Sequence, residues 1–155
     1  MIGTMIPVFS LLDDQGASIT SEDLAGSWIV IYAYPRDSTP GCTTEACDFR
    51  DNWARVQALG AKVYGISKDS PKSHQNFITK QQLPFPLISD PELILLKALG
   101  AFGKKVMYGK EMEGTIRSTF LIDPQGVIRH VWPKVSVKGH VQDVLDTLEK
   151  MKCSG

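Results

Sequence analysis

Residues 28–47 read Trp28-Ile29-Val30-Ile31-Tyr32-Ala33-Tyr34-Pro35-Arg36-Asp37-Ser38-Thr39-Pro40-Gly41-Cys42-Thr43-Thr44-Glu45-Ala46-Cys47. The first seven are apolar throughout, the pattern of a central strand covered on both faces. Pro35 ends that run, because proline donates nothing to a strand ladder. Pro40 suits the first turn of a helix, where its missing N–H costs nothing. Cys42 therefore falls in the first turn of a helix that directly follows a buried strand. A helix N-terminus carries partial positive charge, which favours thiolate over thiol. A thiolate there, with Cys47 five residues on, points to redox or nucleophilic chemistry.

Outward from this stretch, strand and helix patterns alternate, which places the chain in the α/β class. On the N-terminal side, 8–12 reads as a short strand, 13–16 as a hairpin-type turn and 21–24 as one helical turn behind Thr20. On the C-terminal side, Ala46, Phe49, Trp53, Val56 and Leu59 recur at spacings of three and four, so one helix is expected over 40–59, stopped by Gly60. A strand over 62–67, a helix over 71–81 capped by Ser70, and a strand over 85–89 follow. Asp90 and Pro91 open a helix expected over 91–99. Segment 102–115, rich in Gly and Lys, reads as an excursion. A strand over 118–122, a turn at 123–126, a partner strand over 127–132 and a helix over 138–152 complete the chain. No repeat, low-complexity segment or linker interrupts it, so residues 1–155 read as one domain.

The composition bounds the function. The chain has 155 residues, 43% hydrophobic, with 17 basic and 17 acidic side chains. No basic block suggests a nucleic-acid or membrane footprint. No apolar run approaches the roughly 20 residues of a membrane span, and the first residues lack the charged and apolar regions of a signal peptide. A cytoplasmic location is the simplest expectation. Three cysteines are too few for a disulfide scaffold, and in a reducing compartment a close pair is more often catalytic or metal-binding. His74, His130 and His140 show no metal-ligand spacing, and no phosphate loop, haem motif or flavin motif occurs. No metal and no cofactor is expected.

Pro35-x3-Thr39-x2-Cys42 resembles the active-site signature of the peroxiredoxins. The run from Thr39 through Cys42, Glu45, Ala46 and Cys47 to Phe49-Arg50-Asp51 is similar to the bacterioferritin comigratory protein branch, also called peroxiredoxin Q. Gly65-Ile66-Ser67-x-Asp69, Leu87-Ile88-Ser89-Asp90 and Ser118-Thr119-Phe120-Leu121-Ile122-Asp123-x-x-Gly126 fit the same branch in the same order. The resemblance covers nearly the whole chain. It implies a thioredoxin-like fold, with a central mixed β-sheet flanked by helices and an N-terminal β-hairpin extension. It also implies thiol-dependent peroxidase activity on hydroperoxides and re-reduction by thioredoxin or a similar dithiol donor. Members of the branch are mostly monomeric, so a monomer is expected.

The same resemblance assigns roles. Cys42 matches the peroxidatic thiol, which attacks the O–O bond and becomes a sulfenic acid. Thr39 matches the hydroxyl that holds the thiolate and the attacked oxygen, although by itself it reads as an N-cap. Pro35 matches the proline that shields the thiolate from water. Arg117 matches the active-site arginine, and Glu45 the residue that orients it. Without the resemblance, Arg117 reads as a solvated strand-edge residue and Glu45 as an acidic residue of a helix first turn. Cys47 matches a resolving cysteine that closes an intramolecular disulfide with Cys42; read alone, it is a helix core position. Residues five apart on an ideal helix have Cα atoms roughly 8.6 Å apart, beyond the roughly 7 Å limit of a disulfide. That pairing therefore requires the helix to unwind. Cys153, near the C-terminus, reads as an incidental exposed thiol. Two rival readings use the same residues: a disulfide oxidoreductase, against which Cys-x4-Cys is not Cys-x-x-Cys, and a redox-switched sensor or holdase.

Overall fold

A computed structural model describes residues 2–107 and 109–154. The elements in chain order are β1 (Ser10–Asp13), β2 (Ser18–Thr20), a 3₁₀ turn (Ser21–Leu24), β3 (Trp28–Ala33), α1 (Pro40–Asp51), α2 (Trp53–Ala58), β4 (Ala61–Ser67), α3 (Pro71–Gln81), β5 (Leu87–Ser89), α4 (Ile94–Ala98), β6 (Phe102–Met107), β7 (Lys110–Thr115), β8 (Ser118–Ile122), β9 (Ile128–Trp132) and α5 (His140–Ser154). Seven strands form one mixed sheet in the order β2-β1-β5-β4-β3-β8-β9. Strands β3, β4 and β5 run parallel, and β8 runs antiparallel to β3. The N-terminal hairpin joins this sheet through β1 against β5.

The continuous apolar run of β3 now has its reason. Val30, Tyr32 and Tyr34 face one core with Ala46, Phe49, Phe77 and Leu145, whereas Ile29, Ile31 and Ala33 face the other with Leu24, Leu95, Leu96 and Phe120. A strand buried on both faces has no polar side to show. No helix of the described residues is long and apolar enough to cross a membrane.

Three expected elements differ. The helix expected over 40–59 is two helices, α1 and α2, broken at Asn52, whose φ is −106° and ψ 19°. The Asn52 amide donates to the Asp48 carbonyl at 2.8 Å, and a side chain that takes up a backbone carbonyl competes with the helical ladder. The helix expected over 91–99 begins only at Ile94. The two carboxylate oxygens of Asp90 accept the Ile94 and Leu96 N–H groups at 2.9 and 2.8 Å, so the chain turns once more, with Leu93 at φ +61°, before the helix starts. The excursion over 102–115 is a β-hairpin, β6 paired with β7 in the register Gly103↔Gly114 and Lys105↔Met112.

Candidate active site

Strand β3 delivers the chain into a loop, 34–39, that turns into α1. Thr39 is the residue before the helix, Pro40 occupies its first position, and the Thr43 N–H donates to the Thr39 carbonyl at 2.8 Å. Cys42 is in the first turn, as the spacing predicts, and is only 1% exposed. Its neighbours on the buried face of α1 are Glu45, Ala46 and Phe49. Phe49 stacks on Tyr32 with ring centroids 5.0 Å apart.

Arg117 reaches this turn from the next strand. The β3–β8 register places Ser118 opposite Ala33, so Arg117, one residue earlier, sits at the sheet edge where β3 ends. Its Nη2 donates to Cys42 Sγ at 3.2 Å, and its Nη1 donates to Glu45 Oε1 at 2.7 Å. The cluster that the resemblance implies is therefore assembled from three residues of two distant segments. Gly41 makes room for it. A Cβ at position 41 would lie 3.2 Å from Arg117 Nη2, a contact tight enough that the guanidinium would have to give by a few tenths of an ångström.

Burial sets the electrostatics. Glu45 is 0% exposed. Loss of water raises its pKa from 4.5 to about 7, against the pull of Arg117, which lowers it. Burial works against the charge on Arg117, but Glu45 and Cys42 beside it hold its pKa above the ordinary value. Tyr32, wholly buried, has its pKa raised by desolvation and then by Glu45 and Cys42, so it remains a neutral phenol. Lys105 has its pKa lowered by burial and by the nearby Arg117 charge. Its Nζ donates to the Thr115 carbonyl at 2.9 Å. Gly114 allows this, because a Cβ there would lie 2.8 Å from Lys105 Cε.

The Glu45 shift has a sign that can be tested. A carboxyl whose folded pKa lies above its unfolded value favours the fold while neutral. That stabilisation is complete below pH 4.5 and is lost as pH rises through about 7, because the unfolded chain binds fewer protons in that window. At 1.36 kcal/mol per unit the loss is roughly 3 kcal/mol. Denaturant unfolding of wild type and Glu45→Gln, compared from pH 4.5 to 8, should show wild type losing that amount relative to the variant. A pH-independent difference would mean that Glu45 titrates as it does in the unfolded chain.

The remaining residues named from the sequence are placed as follows. Pro35 is half-buried in the loop, two residues after β3 ends. The Thr39 hydroxyl donates to the Arg36 carbonyl at 2.9 Å, which leaves its oxygen free to accept from a peroxide O–H. Cys47 is half-buried about one and a half turns beyond Cys42 in α1, with Sγ donating to Gln81 Oε1 at 3.6 Å. The Arg50 guanidinium donates to the Gln81 carbonyl at 2.6 Å, so α1 is tied to the end of α3. Cys153 is exposed on α5, and all three thiols are free. Among the described residues, one group offers three potential metal ligands within 4.8 Å of one another, Asp37, Asp69 and His74, and neither Cys42 nor Cys47 belongs to it.

The family model of the AhpC/TSA family matches residues 2–131. The chain belongs to that family. Peroxiredoxin Bcp of Bacillus subtilis is 45% identical over 150 residues, covering 97% of this chain and 96% of the relative. The bacterioferritin comigratory protein of Xanthomonas campestris, solved as trapped intermediate and ligand complexes bearing on alkyl peroxide reduction, superposes with a TM-score of 0.87. It is 45% identical, over 92% of this chain and 91% of that one. Peroxiredoxin Q of Xylella fastidiosa superposes with a TM-score of 0.91 at 37% identity, over 98% and 97%. The fold is thus the thioredoxin-like fold of the peroxiredoxins, and this peroxiredoxin lies in their Bcp and peroxiredoxin Q branch. It is a thiol peroxidase.

Sequence reasoning missed three parts of the site. Gly41 carries a signal only after Arg117 is known to lie over it. Lys105 belongs to a hairpin read as a loop. The polar side chains around Asp37 come from the loop after β3, the end of β4 and the turn beyond it, and α3, which no local pattern connects.

Proposed function

We propose that Cys42 is the thiol that attacks hydrogen peroxide and organic hydroperoxides, with Arg117 as the donor that steadies the sulfur and the departing oxygen. The observation that carries this is the Arg117 Nη2 contact to Cys42 Sγ at 3.2 Å, with the other arm of the guanidinium held by buried Glu45. A cation there favours thiolate. The thiolate takes the distal oxygen of ROOH, forming S–O and breaking O–O; sulfur is oxidised by two electrons, and the alkoxide takes up a proton to leave as ROH. Thr39 accepts from the peroxide hydroxyl and so aims it at sulfur. Pro35 covers the loop side against water.

Cys47 then attacks the Cys42 sulfenic acid, giving a disulfide within the chain and one water. A dithiol donor of the thioredoxin kind returns two electrons and two protons. This cycle suits a reducing cytoplasm, a single domain over residues 1–155 and a monomer, since both thiols lie on one helix. Cys153 takes no part.

Arg117→Ala should slow the reaction of reduced protein with hydrogen peroxide by about 10²–10³, the scale of losing one transition-state donor. Iodoacetamide alkylation of Cys42 at neutral pH should slow with it. Stopped-flow peroxide rates and alkylation rates that both match wild type would place Arg117 outside the site.

A further inference from the structure

Beneath the loop that enters α1 lies a buried polar cluster that peroxide chemistry does not touch. Asp37 is at its centre. Its Oδ1 accepts from the Tyr34 hydroxyl at 2.6 Å, and its Oδ2 accepts from the Ser73 hydroxyl at 2.8 Å. The same Oδ2 lies 2.7 Å from His74 Nδ1. The backbone N–H of Asp37 donates to Asp69 Oδ2 at 2.8 Å, and that oxygen also accepts from Ser67 at 2.7 Å. Tyr34 and His74 are 0% exposed.

The ring contacts define the pair. His74 Nε2 lies 3.0 Å from the Ile88 carbonyl oxygen, and a carbonyl has no proton to give, so Nε2 carries the hydrogen. Nδ1 faces the carboxylate oxygen and also lies 3.4 Å from the Tyr34 hydroxyl. A hydrogen bond to a carboxylate is among the stronger ones. Removing one partner from a buried pair leaves the other uncompensated.

The backbone beside Asp37 is strained. Ser38, the next residue, has φ +63°. A side chain in the left-handed region is unfavourable for an L-residue other than glycine and persists where its surroundings over-determine it. Asp37, fixed by three side-chain contacts and one backbone bond, provides that constraint on one side of Ser38. On the other side is Thr39, whose hydroxyl returns to the Arg36 carbonyl. Tyr34, kept neutral by burial, holds its donor role throughout.

We propose that the Asp37–His74 pair is the positioning device of the peroxidatic loop, by which α3 holds residues 36–39 in the conformation that aims Thr39. The inference rests on the assignment of Cys42 and Thr39 given above. The pair acts through geometry and leaves the charge on sulfur to Arg117 and Glu45, which reach Cys42 from the β8 edge and from α1. His74 is a positioning residue, and the effect of losing it separates from an electrostatic one.

The test uses reduced wild type, His74→Gln and Asp37→Asn. The second-order rate constant with hydrogen peroxide should fall at least tenfold in both variants. The pH dependence of Cys42 alkylation by iodoacetamide should stay that of wild type. Tyr34→Phe and Ser73→Ala, which each remove one bond to Asp37 and keep the pair, should slow the peroxide step several-fold. Wild-type peroxide constants in folded His74→Gln overturn the proposal. Should that variant not fold, wild-type constants in both Tyr34→Phe and Ser73→Ala overturn it. An alkylation profile displaced together with the peroxide rate overturns it as well, since the role would be electrostatic. Loss of the wild-type rate on dialysis against EDTA, restored by Zn²⁺, would make Asp37, Asp69 and His74 a metal centre instead. Peroxide consumption that survives Cys42→Ser would sink the parent reading, and this one with it.

Discussion

Cys42→Ser should consume no peroxide above the uncatalysed background, with thioredoxin and its reductase supplied in excess. Serine gives no stable anion near neutral pH and cannot expand to the sulfenic acid that stores the two electrons. The substitution replaces one buried atom, 1% exposed in its residue, by a smaller one that still accepts from Arg117, so the fold should persist. Inactivity then reports chemistry. The assay also ranks the rival readings. A disulfide oxidoreductase would reduce insulin disulfides and ignore peroxide. A sensor or holdase would be oxidised once, with no sustained turnover. Continuous peroxide consumption in the variant would remove Cys42 from the reaction.

The main layout of the fold was legible where local and global signals agree. The apolar run at 28–34, followed by Pro40 and a periodic helix, marks a buried parallel strand feeding a helix, and β3 and α1 form as that pattern requires. Ser70-Pro71 opens α3 at the expected residue, with the Ser73 N–H donating to Ser70 Oγ at 3.2 Å. The misread elements are those where a side chain overrides the pattern. The apolar spacing continues from Phe49 through Trp53 to Leu59 regardless of the Asn52 break, because both halves pack on the same core. Asp90 reads as an ordinary cap, yet its carboxylate reaches Ile94 and Leu96. In the β6–β7 hairpin, the Gly and Lys density that suggested a loop serves close packing, with Lys105 lying across Gly114.

The site divides the same way. Cys42 in the first turn follows from spacing alone. Arg117 beside it depends on a strand register, Ala33↔Ser118, that a single sequence does not reveal; only the resemblance suggested it. The buried state of Glu45 was not legible either. An acidic residue in a helix first turn is ordinarily solvated, and what buries this one is the sheet beneath α1.

Cys47→Ser should leave the first reaction with peroxide intact and stop thioredoxin-supported turnover. The reason is geometric. Both cysteines lie in α1, and helical Cα atoms five apart are roughly 8.6 Å from each other, whereas a disulfide closes below about 7 Å. A Cys42–Cys47 disulfide therefore requires α1 to open. The structure says where opening begins and where it should stop. Helix starts fray at low cost, and the Cys47 thiol would have to leave its 3.6 Å bond to Gln81. Phe49 is the next obstacle. It is 0% exposed and stacked on Tyr32, and withdrawing such a ring costs about 3–5 kcal/mol by analogy with its truncation. Unwinding should thus release residues 41–48 and leave Phe49 seated. Trp53, beyond the Asn52 break and 5.8 Å from the Phe85 ring centroid, should report two phases after peroxide is added. The first depends on peroxide concentration and marks sulfenic acid formation. The second does not, and marks opening and disulfide closure. Cys47→Ser should keep the first and lose the second. Amide exchange of reduced and oxidised protein is decisive. Protection of Thr43 to Asp48 should fall sharply on oxidation while that of Val56 in α2 holds, and equal protection of the first segment in both states would show that α1 stays wound and that Cys47 is not the partner of Cys42.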